Sequence, residues 1–136
     1  DAENYIAYCW RSIDGYSKLG SYISNGNVNG TFVSTGFRPA FLMIKCSSKA
    51  SGANWFMFDS VRQTSNVIGD VALAADVSSI EGLGNDWNPN TSGVVLDFVS
   101  NGFKIRTTST SGISETNQTH IYMAFAQTPF KYSNAR

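Results

Sequence analysis

Nucleophilic catalysis in this chain would have to run through His120, its single histidine. A Ser-His-acid or Cys-His site needs an imidazole as general base, held in place by a third group. His120 directly abuts the apolar run Ile121-Tyr122-Met123-Ala124-Phe125-Ala126, so it reads as a packed or hydrogen-bonded structural histidine. Two carboxylates could cleave a glycosidic bond, but Asp59, Asp70, Asp76, Glu81, Asp86 and Asp97 show no spacing that singles out a pair. Cys9 and Cys46 are the only cysteines, too few for a disulfide framework or a zinc site. Each sits in an apolar, strand-like segment, where a buried free thiol is the commoner outcome and a Cys9–Cys46 bond the alternative. No phosphate-binding loop, dinucleotide fingerprint or His-Glu-x-x-His occurs. The expectation is a protein that is not an enzyme, with no catalytic residue, metal site or cofactor.

One polar loop carries chemistry of another kind. Asn85-Asp86-Trp87-Asn88-Pro89-Asn90 combines carboxamides, a carboxylate and an indole. A sugar has an apolar C–H face and a rim of hydroxyls, which an aromatic ring flanked by acid and amide matches. Trp87, Asp86 and Asn88 are therefore the candidate ligand-binding residues. Their oxygens are also of the type calcium takes. The plainer reading is an Asx-stabilised turn whose Trp folds back onto the core. Trp10 and Trp55 fall in expected strands and read as core. Chance explains the three Asn-x-Ser/Thr sequons, at Asn29, Asn90 and Asn117, in a chain so rich in these residues.

The elements that must position such a loop are strands. A length of 136 residues suits one domain, 1–136, with a single core. Charged residues are only 15% and the formal net charge is zero, so the basic excess that nucleic acid or an anionic membrane demands is missing. No apolar run approaches the ~18 residues of a membrane span. The chain opens Asp-Ala-Glu-Asn without an initiator Met or a signal-peptide pattern, which reads as a processed product or part of something longer. Aromatics at 13%, with abundant Asn, Ser, Thr and Gly, favour strands and tight turns over helices.

Tyr5-Ile6-Ala7-Tyr8-Cys9-Trp10 and residues 121–126, one near each end, both read as buried central strands of one core. Residues 15–23 alternate loosely and pair beside the first. Asn25-Gly26 and Asn29-Gly30 carry the Asn-Gly signal of tight turns. Phe41–Cys46 and Trp55–Asp59 form a hairpin apolar on both faces, which suggests a position between layers. Val94–Val99 and Phe103–Thr107 form a second hairpin about an Asn101-Gly102 turn with positive φ. That register places Phe98 opposite Ile105 and Asp97 opposite Arg106, with Leu96, Phe98, Phe103 and Ile105 on one face. Residues 60–93 are weakly patterned, with a short helical turn possible at 71–76. Thr107–Thr119 is a long exposed loop or an edge hairpin. The sum is an all-β, antiparallel, jelly-roll-like β-sandwich with little or no helix.

The blocks Tyr5–Trp10 and Gly15–Tyr22, Gly36–Lys45, Ser100–Arg106, and Ile121–Ala126 with Pro129–Tyr132 resemble, in order, a domain of unknown function. That domain is found in large tail-fibre-like virion proteins of aquatic tailed bacteriophages. The resemblance implies a structural or host-receptor-binding module on the virion surface, in a tail fibre or capsid decoration. It carries over no catalytic residue. Gly15, Gly20, Gly36 and Gly102 in these blocks suit turns with permissive dihedrals, so the motifs read as fold determinants and specificity as a matter of loops. A homo-oligomer, first a trimer, follows from the symmetry of virion assemblies, with other virion proteins and a cell-surface glycan as further partners. A carbohydrate-binding module or lectin outside a virion is the alternative.

Overall fold

The computed structural model describes residues 4–49, 53–62, 72–78, 95–108 and 112–130. Eight strands occur among them: β1 (Ser17–Ile23), β2 (Phe32–Ser34), β3 (Pro39–Cys46), β4 (Phe56–Asp59), β5 (Leu73–Ala74), β6 (Leu96–Val99), β7 (Gly102–Ile105) and β8 (Thr119–Ala126). The described residues contain no helix. The strands form two antiparallel sheets, a five-stranded one ordered β1-β8-β3-β4-β5 and a three-stranded one ordered β2-β7-β6. This is the all-β, sandwich-like fold that the composition calls for.

Alternation along each strand decides which side chains meet between the sheets. Leu42 and Ile44 of β3, Phe56 and Phe58 of β4, and Tyr122 and Ala124 of β8 point inward and are buried. Val33, Leu96, Phe98, Phe103 and Ile105 answer them from the smaller sheet. Phe103 stands edge-on to Tyr22 and Tyr122, with ring centroids 5.9 and 5.3 Å away. Each of these large side chains contributes roughly 1.5–3 kcal/mol by leaving water. The long-range pairing of β8 with both β1 and β3 ties the two ends of the fold together.

The N-terminal segment departs from expectation. Residues 5–10 form no strand, and Tyr5, Ile6 and Tyr8 are 85%, 81% and 73% exposed. Trp10 is exposed as well. The ladder positions beside β8 are already taken, by β1 on one side and β3 on the other. Along β1 the Leu19 N–H donates to Ser12 Oγ at 3.0 Å and Ile13 bridges Ser17, so the segment is left to run across the sheet as an arm. Its Cys9 is exposed while Cys46 is buried, and both are free thiols.

The second hairpin keeps the expected faces with a different register. Val99 pairs with Gly102, Phe98 with Phe103, Asp97 with Lys104 and Leu96 with Ile105, so the turn is Ser100-Asn101. Moving the turn by one residue changes every partner by two, which preserves parity and therefore the inner face. Asp97 and Arg106 still meet, diagonally, at 2.6 Å. Gly102 lacks a positive φ. A Cβ there would lie 2.0 Å from the Val33 carbonyl oxygen of β2, so close backbone approach is what requires glycine. Gly20 likewise sits inside β1 and not in a turn, whereas Gly15 and Gly36 do have positive φ.

Two looser expectations are also corrected. Residues 73–74 are the strand β5, paired to β4, in place of a helical turn. Within 107–119 the chain is far from fully exposed: Ile113 and Ser114 are buried, and the Ile113 carbonyl accepts the Tyr22 hydroxyl at 2.8 Å.

Candidate binding cleft

The outward-facing residues of the five-stranded sheet are apolar through its middle rows, with Ser21, Lys45 and Asp59 toward the ends. Register lines up Leu19, Met123, Met43, Met57 and Leu73 as one row across all five strands. The row contains every methionine of the chain. Phe125 and Phe41 form the next row on one side, their rings 6.2 Å apart. Ile121 and Lys45 lie opposite each other on the other side. These side chains are half-buried or exposed, and among the described residues no second sheet covers this face.

A cleft of about 410 Å³ opens on this face, lined by Leu19, Met43, Ile121 and Met123 below and by Trp10, Trp55 and Asp76 at its sides. Trp10 is brought there by the arm. The Arg11 carbonyl accepts the Ser17 hydroxyl at 2.9 Å, and the Tyr8 ring stacks on the Trp10 indole at 5.8 Å. Trp55 immediately precedes β4, and its backbone N–H donates to Asp76 Oδ1 at 3.1 Å. Lys45 Nζ lies 5.3 Å from the Trp55 ring centroid and 3.9 Å from Asp76 Oδ2, and donates to the Ala53 carbonyl at 2.6 Å. An apolar floor, two indoles and one ion pair make a surface that holds apolar or aromatic groups, with the polar atoms at its edge. Unbranched methionines give such a floor adaptability.

Trp87, Asp86 and Asn88 lie outside the described residues. Trp10 and Trp55, expected in the core, line the cleft instead. Spacing held the signal: in Phe41-Leu42-Met43-Ile44-Lys45 the even positions are branched aliphatics, while the odd ones are Phe, Met and Lys. The odd set carries the one charge and the unbranched Met, and the even set packs inward.

His120 is fully enclosed within β8. Its ring stacks on Tyr22 at 4.9 Å, Nδ1 lies 3.1 Å from the Gln118 carbonyl oxygen, and Nε2 has no hydrogen-bond partner among the described residues. Register places it between Tyr22 of β1 and Cys46 of β3. Burial pushes its pKa below the usual value, partly opposed by the Gln118 carbonyl and the Glu115 charge. The Tyr22 hydroxyl is pushed well up, by burial and then by Cys46. An imidazole walled in this way serves packing. The described residues contain no group of three or more His, Cys, Asp or Glu side chains that could hold a metal ion. They also contain no helix long and apolar enough to cross a membrane.

Residues 1–129 match the family model of a domain of unknown function, DUF7483, and the chain belongs to that family. The match takes in the arm as well as the two sheets. Searches of curated proteins and of solved structures returned no match.

Proposed function

We propose that this member of the family is a structural or host-receptor-binding module on the surface of a tailed-bacteriophage virion, in a tail fibre or capsid decoration. It works by docking rather than by bond-making. The virion setting is carried over from the sequence resemblance. The observation behind the docking role is the outer face of the five-stranded sheet, where a methionine-floored cleft stands open among the described residues. Contiguous apolar surface of this kind costs solubility, and it persists in proteins where a partner covers it. Electron microscopy of intact particles with a label on the domain tests the setting. Density on a fibre or on the capsid exterior is expected, and a label absent from purified particles would refute it.

A second reading, a carbohydrate-binding module or lectin outside a virion, is favoured by one observation. Trp10, Trp55 and Asp76 border a single cleft, and stacking rings beside a carboxylate suit a sugar. Binding on a glycan array, lost in Trp55→Ala at an unchanged melting point, would support it. An array without signal would remove it.

A further inference from the structure

His120 stands where two kinds of packing meet. On both sides of it run ladders, β8 with β1 and β8 with β3. Just before β8 lies the turn of residues 113–118, which is held to the end of β1 by single bonds. The Tyr22 hydroxyl donates to the Ile113 carbonyl at 2.8 Å and Ser24 Oγ to the Glu115 carbonyl. The Asn117 N–H donates to the Ser24 carbonyl at 2.9 Å, and the Ser24 N–H to the Gln118 carbonyl at 3.2 Å. Two of these groups also touch the imidazole. The Gln118 carbonyl oxygen lies 3.1 Å from His120 Nδ1, and the Tyr22 ring stacks on the His120 ring with the planes 12° apart. The histidine therefore sits at the joint between β1 and the turn.

The hydrogen bonds decide which nitrogen is bare. A carbonyl only accepts, so Nδ1 carries the N–H of the neutral ring and Nε2 holds the free lone pair. Nε2 is enclosed and has no partner among the described residues. Protonation there creates a buried donor with no acceptor, which is the costly case. Tyr22 of β1 and Cys46 of β3 flank the ring. The inward side chains of the smaller sheet, Val33, Leu96, Phe98, Phe103 and Ile105, are all apolar. The turn supplies one charge, Glu115, which is paired with Lys49 at 2.5 Å. Burial outweighs the pull of the Gln118 carbonyl and of Glu115 toward the cation. Water reaching the ring would relieve the cost. The turn yields before the flanking strands do, because single bonds hold it where full ladders hold them.

We propose that residues 113–118 form an acid-released latch: when His120 Nε2 takes up a proton, the turn lets go of the end of β1 and uncovers Tyr22 and His120. The Ser114 hydroxyl, which donates to the Thr107 carbonyl at 2.5 Å, and the Lys49–Glu115 pair keep the turn attached on its other sides. The latch lies on the inner face of the sheet, so it stands or falls apart from the docking role of the outer face.

Amide hydrogen exchange of the full chain from pH 7 to 5, corrected for the pH dependence of the chemical step, tests the latch. The Ser24 and Asn117 amides should lose protection while those of the β3–β8 ladder keep theirs. One proton taken up by an open state with the ordinary imidazole pKa of about 6.5 raises the open population by at most about 25-fold over this range. A loss of about five- to 25-fold is expected. His120 is the single histidine, so its resonances report the folded imidazole directly. Protection should begin to fall near pH 6.5 and level off where that imidazole titrates. In His120→Gln the two amides should hold level with pH; if that variant does not fold, the wild-type imidazole titration and protection profile decide. Unchanged protection would overturn the latch, as would a loss shared equally by the β3–β8 ladder. So would an imidazole titrating at its ordinary value, or the same loss in a folded His120→Gln chain.

Discussion

The two outer faces of the sandwich come from the same kind of strand and differ in their balance of charged and apolar residues. On the three-stranded sheet, Asp97 and Lys104 face outward beside the exposed Phe32 of β2, with Arg106 just beyond β7. Lys104 Nζ bonds Asn29 Oδ1 at 2.6 Å, and Asp97 holds Arg106. That is a solvated face, as one side of an antiparallel sheet commonly is. On the five-stranded sheet the middle outward positions are Leu19, Phe41, Met43, Met57, Met123 and Phe125, and the ion pairs Lys45–Asp76 and Asp59–Arg62 stand toward the strand ends. Alternation places a residue inside or outside, and nothing in it requires the outside to be polar. Where it is apolar, as here, water is the wrong neighbour.

Adjacent residues on β3 give the largest test of that contrast. Ile44 is fully buried and Met43, next to it, is half-buried on the outer face. Ile44→Ala should cost about 2–5 kcal/mol, the loss of buried methyl groups plus a cavity. Met43→Ala should cost about 1 kcal/mol in the isolated chain, because roughly half of its transfer gain is missing. Urea denaturation of both variants at a dilution that keeps the chain monomeric would measure the difference. Equal losses would mean that the outer face is as buried as the core.

Gly102→Ala comes next and probes how closely β2 is held to β7 within the three-stranded sheet. The added Cβ would run into the Val33 carbonyl oxygen, and backbone cannot rotate away as a side chain can. Overpacking of this sort costs about 1–3 kcal/mol. An unchanged denaturation midpoint would show that β2 moves freely against β7.

Parity was legible in the sequence; crowding was not. The face shared by Leu96, Phe98, Phe103 and Ile105 could be read from alternation alone, and it survives a turn shifted by one residue. The strand β8 and the β3–β4 hairpin could be read in the same way. Tyr5–Trp10 has the same local pattern as β8, but whether an apolar run becomes a strand depends on a free edge, and both edges of β8 are filled. Gly102 was legible as a special position but for the wrong reason, since its constraint comes from β2, some seventy residues away. The cleft was the least legible part. Its Trp residues looked like core, and an outer face left uncovered by the described residues leaves no mark in a strand that is apolar on both sides.

Acid should unfold the protein from the inner face. The buried His120 has its pKa lowered, chiefly by burial, so the unfolded chain binds the imidazole proton more readily than the folded one. Stability is then complete above the unfolded pKa of about 6.5 and is lost as pH falls below it toward the lower folded value. His120 is the chain's single histidine, so thermal melts between pH 7 and 5 should isolate it. The wild-type midpoint should fall over that range, and a folded His120→Gln chain should hold nearly level. Parallel slopes would show that His120 is not the group responsible.

The smallest effect belongs to the solvated face. Asp97 and Arg106 are 2.6 Å apart with side chains 20% and 40% exposed. A pair so open to water is worth about 0.2–1 kcal/mol. A double-mutant cycle of Asp97→Asn and Arg106→Gln should return a coupling in that range, shrinking as salt is raised toward 1 M, where screening acts within ~3 Å. The same salt series should leave the Met43→Ala difference in place, because removing apolar surface from water does not depend on screening. Responses of equal sign and size would erase the distinction between the faces. A coupling that fades beside an apolar term that persists would separate a face whose contacts are electrostatic from one whose contacts are apolar.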